Sequence, residues 1–175
     1  MAIYRYKGKE PKIGKDCYIA ETAAVLGDVT LGDGCYVGPG AVLRGDYGTI
    51  IIGAKTGVEE NVVVHARPGE VCTIGDFVTL GHGCIVHNTA MIEEGAVIGM
   101  GAVVSDWTRI GSWAVVGEGA LVKNKQEIPP KGIAVGVPAK VIGEVTPEWI
   151  EQWRGFKNTY VELAKTYPKD IERIK

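Results

Sequence analysis

Branched or aliphatic residues recur along the chain at a strict step of six: Ile13, Ile19, Val25, Leu31, Val37 and Leu43, then Ile52, Val58 and Val64. After a second break the series runs without a slip through Ile74, Leu80, Val86, Ile92, Ile98, Val104, Ile110, Val116, Val122 and Ile128. A helix repeats its apolar face every 3.6 residues and a lone strand every two, so neither explains a step of six. Short strands joined by tight corners do. Three of them make a triangular coil of 18 residues whose leading side chain points inward on every face. Successive coils, about 4.8 Å apart, exchange parallel backbone hydrogen bonds.

The two breaks set the register. From Leu43 to Ile52 the step is nine, an insertion of three around Asp46-Tyr47-Gly48; from Val64 to Ile74 it is ten, an insertion of four around Arg67-Pro68-Gly69-Glu70. Both are expected to bulge from corners as loops. Correcting for them predicts three stacked faces, through 13, 31, 52, 74, 92, 110 and 128, through 19, 37, 58, 80, 98 and 116, and through 25, 43, 64, 86, 104 and 122. Beyond Pro130 the repeat fades, and GVPAKVIG at 136–143 closes the last coil or leads away from it. A helix then follows, with Thr146 as N-cap, Pro147 at its first position and Glu148 in its first turn. Trp149, Ile150, Trp153, Phe156, Tyr160, Leu163, Ala164 and Tyr167 form its apolar stripe, and it is expected to stop before Pro168. The chain reads as one domain, a β-solenoid over 1–145 with the helix and tail over 146–175 packed on its flank.

Composition agrees with this. Glycine makes up 25 of the 175 residues, about 14% against a usual ~7%, and a corner-rich solenoid explains the excess through positive φ and close backbone approach. The net charge of -2, from 19 basic and 21 acidic residues, argues against nucleic acid or an anionic membrane as partner. MAIYRYKGKE at the start has no apolar stretch behind its charges, and no segment approaches the ~18 apolar residues of a membrane span. With four cysteines (Cys17, Cys35, Cys72, Cys84) lacking CxxC spacing, a reduced, cytoplasmic setting is expected. Cys17 and Cys35 are one coil apart.

The candidate chemistry lies in the histidines, of which the chain has three. His65 follows Val64 and His87 follows Val86, so after correction for the insertion they are one coil apart, stacked and pointing outward. His82 belongs to the preceding face; it reaches the pair around a corner or across to that of a neighbouring molecule. Three imidazoles and a water make a catalytic Zn²⁺ arrangement, and the same ligands suit Fe²⁺ or Co²⁺. The plainer reading is surface or interface packing. Arg44, after Leu43, extends the column downward, with Asp46 just beyond as a partner for it, for a subunit interface or for an anionic product. Glu60 is placed to accept a ring hydrogen from His82, and Glu59 to reach a bound water; both also read as solvated carboxylates.

With LRGD at 43–46, ENVVVH at 60–65, GHGCIVH at 81–87 and GVPAK at 136–140, the chain resembles the gamma-class carbonic anhydrases over nearly its whole length. The resemblance implies a left-handed parallel β-helix, all-β apart from the C-terminal helix, assembled as a homotrimer with metal sites between subunits. It implies His65 and His87 from one subunit and His82 from its neighbour as ligands, and metal-bound hydroxide attacking CO₂ to give bicarbonate. Arg44 and Asp46 match the family's interface pair, and Tyr160 its pocket tyrosine, though helix packing alone also accounts for that side chain. Glu59 stands where many members carry glutamine, Gly57 where they carry asparagine, and the acidic loop after the first histidine is short, leaving Glu70 as its candidate proton shuttle. Two other readings fit the scaffold: an acyltransferase using one histidine as base on an acyl-CoA thioester, and a noncatalytic trimeric metal-binding or scaffold protein.

Overall fold

The computed structural model describes residues 2–174. It is a left-handed parallel β-helix carrying a single α-helix, Pro147–Asp170, on one flank. Every stacking partnership set by the six-residue register is present: Ile13 pairs with Leu31, Leu31 with Ile52 and Ile52 with Ile74 on the first face. The second and third faces continue it with Val37 on Val58 and Val64 on Val86. The leading aliphatics from Val25 to Ile128 are all but fully buried. Ile13, at the open first coil, stays exposed.

A second inward slot lies two residues before each leading aliphatic. Small residues fill it, including Ala23, Ala41, Ala96, Ala102, Ala114 and Ala120, each essentially inaccessible to solvent. All four cysteines occupy this slot. Cys35, Cys72 and Cys84 are buried in it and Cys17 half-buried, all as free thiols. Cysteine acts there as a small apolar filler.

The glycine excess has two separate causes. The left-handed corner position lies three residues before each leading aliphatic and is often not glycine, since Asp16, Lys55, Phe77, Trp107, Trp113 and Lys125 all adopt φ between 54° and 62° there. Glycines directly after the leading aliphatic answer to close approach instead. A Cβ at Gly53 would lie 2.5 Å from the backbone nitrogen of Asp76 in the next coil, nearer than packed atoms come.

The first insertion departs from expectation. Asp46-Tyr47-Gly48 does not loop out; it lies within one continuous strand, Val42–Ile52, paired along its length with Ala24–Leu31. The extra residues are absorbed as a bulge, with Gly27 opposite Gly45 and Val29 opposite Ile50, because rounding the corner without breaking the ladder keeps the backbone bonds that a loop would forfeit. These two long strands fuse the first and third faces into a 12-stranded sheet, and the second face is an eight-stranded one. The second insertion is a loop, and it rests on the first: Thr49 N donates to Glu70 O at 2.9 Å and Gly69 N to Tyr47 O at 3.3 Å. After the last coil, Gly132–Val135 and Lys140–Glu144 form an antiparallel hairpin around the cis Val137–Pro138 bond.

Thr146 caps the helix, accepting from Trp149 N at 3.2 Å, with Pro147 at the first position. The helix covers the eight-stranded face, where Tyr36 meets Tyr160 and Tyr18 meets Tyr167 edge to face, with centroids 5.2 and 5.1 Å apart. Two details correct the sequence reading. The helix runs through Pro168 to Asp170, because a proline in the last turn removes only one intrahelical bond. The buried stripe includes Lys157, whereas Phe156 is 53% exposed. Among the described residues no helix is long and apolar enough to cross a membrane.

Candidate functional site

The register that builds the core also builds the site. Arg44, His65 and His87 occupy the same outward position on three successive coils, Arg44 paired with His65 and His65 with His87. The two imidazole rings stand with centroids 5.3 Å apart. Asp46, carried by the bulge, meets both neighbours: Arg44 Nη1 donates to its Oδ2 at 2.7 Å, and His65 Nε2 lies 3.2 Å from its Oδ1. Burial alone would raise this carboxyl, but the hydrogen bonds from Arg44 and His65 outweigh it and hold Asp46 below the usual carboxylate range. Burial, helped by the Arg44 charge, pushes His65 down and favours its neutral ring.

On the other side of the column, His87 Nδ1 lies 2.7 Å from Asp106 Oδ1. Arg67, from the second insertion, grips that carboxylate through Nε at 2.9 Å and Nη2 at 2.7 Å. Its hydrogen bond is the largest influence keeping Asp106 ionised. Glu70 accepts from Trp107 Nε1 at 2.7 Å and from the Asn88 amide. Those bonds tie the insertion to the solenoid, which gives Glu70 a structural task where the sequence suggested proton shuttling.

His82 does not turn the corner toward the other two. Its Nδ1 lies 2.5 Å from Glu60 Oε2 and its Nε2 3.1 Å from Glu59 Oε2. Tyr36 donates to Glu60 Oε1 at 2.9 Å, and Tyr160 hydrogen-bonds to Glu59, whose carboxyl burial pushes up while His82 pulls it back. Glu60 thus stands against a ring nitrogen of His82, as its position suggested. Within one chain, among the described residues, no group of three His, Cys, Asp or Glu side chains is arranged to hold a metal ion. Arg44, Asp46, His65 and His87 form one cluster; Glu59, His82 and Tyr160 form another.

Four contributors escaped the sequence reading. Asp106 carries a legible signal, since it lies one 18-residue coil plus one residue beyond His87. Arg67 was visible only as part of an insertion. Tyr36 and Lys157 gave no signal beyond packing.

The fold and these two clusters define a hexapeptide-repeat β-helix protein with an outward-facing polar site. The family model described as "Bacterial transferase hexapeptide (six repeats)" matches residues 10–45 and 89–124. The chain is 44% identical to a "Probable carbonic anhydrase" of Methanocaldococcus jannaschii, covering 88% of this chain and 96% of that one. It is 37% identical to a carbonic anhydrase of Geobacillus kaustophilus, covering 94% and 90%. A solved hexapeptide transferase family protein from Anaplasma phagocytophilum superposes with a TM-score of 0.90 at 31% identity, covering 95% and 98%. The chain belongs to the hexapeptide-repeat left-handed β-helix superfamily and is related to both its carbonic-anhydrase-like and its acyltransferase-like members.

Proposed function

We propose that this chain is the subunit of a metal-dependent enzyme interconverting CO₂ and bicarbonate, a homotrimer in which His65 and His87 of one copy and His82 of the next hold Zn²⁺, Fe²⁺ or Co²⁺. The observation that carries this reading is the arrangement of the imidazoles. Two stand in register on adjacent coils, and the third is turned away from them toward its own carboxylates. The donor chemistry suits such an ion: His87 sets Nδ1 against Asp106, which leaves its Nε2 as the ligating nitrogen, while Nε2 of His82 and of His65 rests against a carboxylate, Glu59 or Asp46, that it would leave on binding the ion. A divalent cation held by neutral imidazoles acidifies the water it binds and so supplies a nucleophile near neutral pH.

The chain's own residues then orient and balance charge. Arg44 offers a guanidinium beside the column for an anionic product, and Asp46 fixes its direction. Glu59 and Tyr160, hydrogen-bonded to one another, hold or pass a proton on the His82 side. The test is CO₂ hydration by anaerobically purified protein loaded separately with Zn²⁺ and Fe²⁺, beside His87→Ala, with metal content and oligomeric state measured on the same samples. One metal per subunit in a trimer, with activity lost in the variant, is the expected result. Stoichiometric metal without histidine-dependent hydration would sink it.

A second reading, acyl transfer, draws on the similarity to a hexapeptide transferase and on the lack, among the described residues, of a three-ligand cluster within one chain. On that reading His82, paired with Glu59, is the general base, and acyl-CoA binding survives complete removal of metal.

A further inference from the structure

The first coil is the open end of the solenoid, and two thiols meet there. Tyr18 pairs with Tyr36 in parallel register, and Tyr18 N donates to Cys35 O at 2.9 Å, so Cys17 and Cys35 occupy the same inward slot on successive coils. Their Cα atoms are one strand spacing apart, about 4.8 Å, inside the roughly 4.4–6.8 Å that a disulfide spans. The side chains meet as well, with Cys35 hydrogen-bonded to the Cys17 sulfur. Cys72 and Cys84 have no thiol on the coil above or below: Cys72 stacks between Ile50 and Ala90, Cys84 between Val62 and Ala102. The pair is also reached from outside. Cys17 lines two surface cavities, one of about 420 Å³ shared with Ile3, Ile13 and Pro168, the other of about 370 Å³ shared with Lys165 and Lys169. Cys35, behind it, is buried.

We propose that Cys17 and Cys35 form a peroxide-sensitive dithiol site, in which Cys17 takes the oxidant and Cys35 resolves it as an intramolecular disulfide. Cys17 is the attacking sulfur, because the hydrogen bond from Cys35 favours its thiolate, whereas the contact with Cys17 and burial push the Cys35 thiol up. The Cys17 thiolate attacks hydrogen peroxide; the O–O bond breaks, an S–O bond forms and hydroxide leaves, giving a sulfenic acid. The Cys35 sulfur then attacks the Cys17 sulfur. The S–O bond breaks, and the departing hydroxide takes the Cys35 proton and leaves as water. In sum the two thiols lose two electrons and two protons, and the peroxide is reduced to two waters. The bridge ties the open first coil to the second, next in the chain to Tyr18 and Tyr36, on which Tyr167 and Tyr160 of the helix pack. None of the histidines takes part, so the site is separate from the proposed reaction.

The test treats the full-length protein, prepared without iron, with hydrogen peroxide, blocks the remaining thiols with N-ethylmaleimide and maps the cysteines by peptide mass spectrometry. The expected result is a linked peptide pair joining Cys17 to Cys35, lighter by two hydrogens and returned to free thiols by dithiothreitol, with Cys72 and Cys84 still reduced. Cys35→Ala places in this slot the residue that already fills it at Ala96 and Ala114 of the same face, and circular dichroism checks its fold. In that variant Cys17 is expected to accumulate as a sulfenic acid trapped by dimedone and then to pass to sulfinic acid. Sulfinic acid at Cys17 beside a free Cys35 in the unaltered chain overturns the inference. So does a Cys17 left unmodified, or one bridged to Cys17 of a second copy, seen as a dimer on a non-reducing gel. Failure of the metal-loaded protein to hydrate CO₂ would remove the proposed reaction and leave this mapping unchanged.

Discussion

His87 Nδ1 lies 2.7 Å from Asp106 Oδ1, and Arg67 holds both oxygens of that carboxylate. A carboxylate kept ionised by Arg67 can only accept, so the proton sits on Nδ1 and Nε2 is left with its lone pair. Asp106 therefore positions His87. Asp106→Asn is expected to weaken Zn²⁺ binding 10- to 100-fold, read by competition against a chromogenic chelator, with the melting temperature of the metal-free protein as control for folding. Unchanged affinity would remove Asp106 from this role.

Gly48 marks the contact between the two insertions. A Cβ added there would meet the Arg67 carbonyl oxygen at 2.2 Å. Gly48→Ala is expected to cost about 1–3 kcal/mol, the usual penalty of overpacking, by driving the bulge that carries Asp46 from the loop that carries Arg67. Urea unfolding gives the cost. A loss under 0.5 kcal/mol, far below the roughly 1–3 kcal/mol expected, would mean that the two insertions separate freely.

Lys157 supplies a pH signature. It is 3% exposed, donates to Thr79 Oγ1 at 2.9 Å and Ala96 O at 3.2 Å, and burial lowers its pKa from 10.5 to about 7. Between those values the unfolded chain binds more protons than the folded one, so stability gains a contribution as pH rises from about 7 toward 10.5. Its size is on the order of a few kcal/mol. Lys157→Met removes the ammonium and is expected to flatten the stability profile across that window, measured by chemical denaturation at several pH values. An unchanged slope would place the charged form comfortably inside the fold.

The four cysteines share one structural slot but differ in access. Cys17 is half-buried at the open first coil, and the hydrogen bond from Cys35 lowers its thiol to about 7. Burial pushes Cys72 and Cys84 up to about 12. Native protein is expected to take one equivalent of iodoacetamide, at Cys17, by peptide mass spectrometry. Modification of Cys72 or Cys84 at a similar rate would show that the coils open far more readily than their burial implies.

The fold was legible because one inward side chain in every six residues leaves a mark that no other architecture imitates, and the corrected register placed Arg44, His65 and His87 in one column. The first insertion was misread as a loop. Length alone cannot say whether extra residues leave a strand or bulge within it; the continuous pairing of Val42–Ile52 settles that through backbone bonds. Lys157 was passed over because its charge breaks an apolar stripe, yet its four-carbon stem packs like the stripe's other members while the ammonium finds two acceptors. Asp106 and His82 expose a further limit. Which carboxylate an imidazole meets depends on side-chain direction at a corner, and the six-residue period fixes only which coil each residue occupies.

The Arg44, His65 and His87 column and both insertions lie below residue 88, while the coils from Ile92 to Ile128 follow the 18-residue step without interruption. Each of those upper coils presents the same parallel edge to the next. A whole turn removed from or added to that stretch, above the Asp106 coil, returns the chain to the same angular position with every lower face undisturbed. The height of the tower and the Arg44, His65 and His87 column are therefore separate variables, whereas the helix, which sets out from the last coil and packs Tyr160 on Tyr36, is carried along by one coil whenever that height changes by 18 residues.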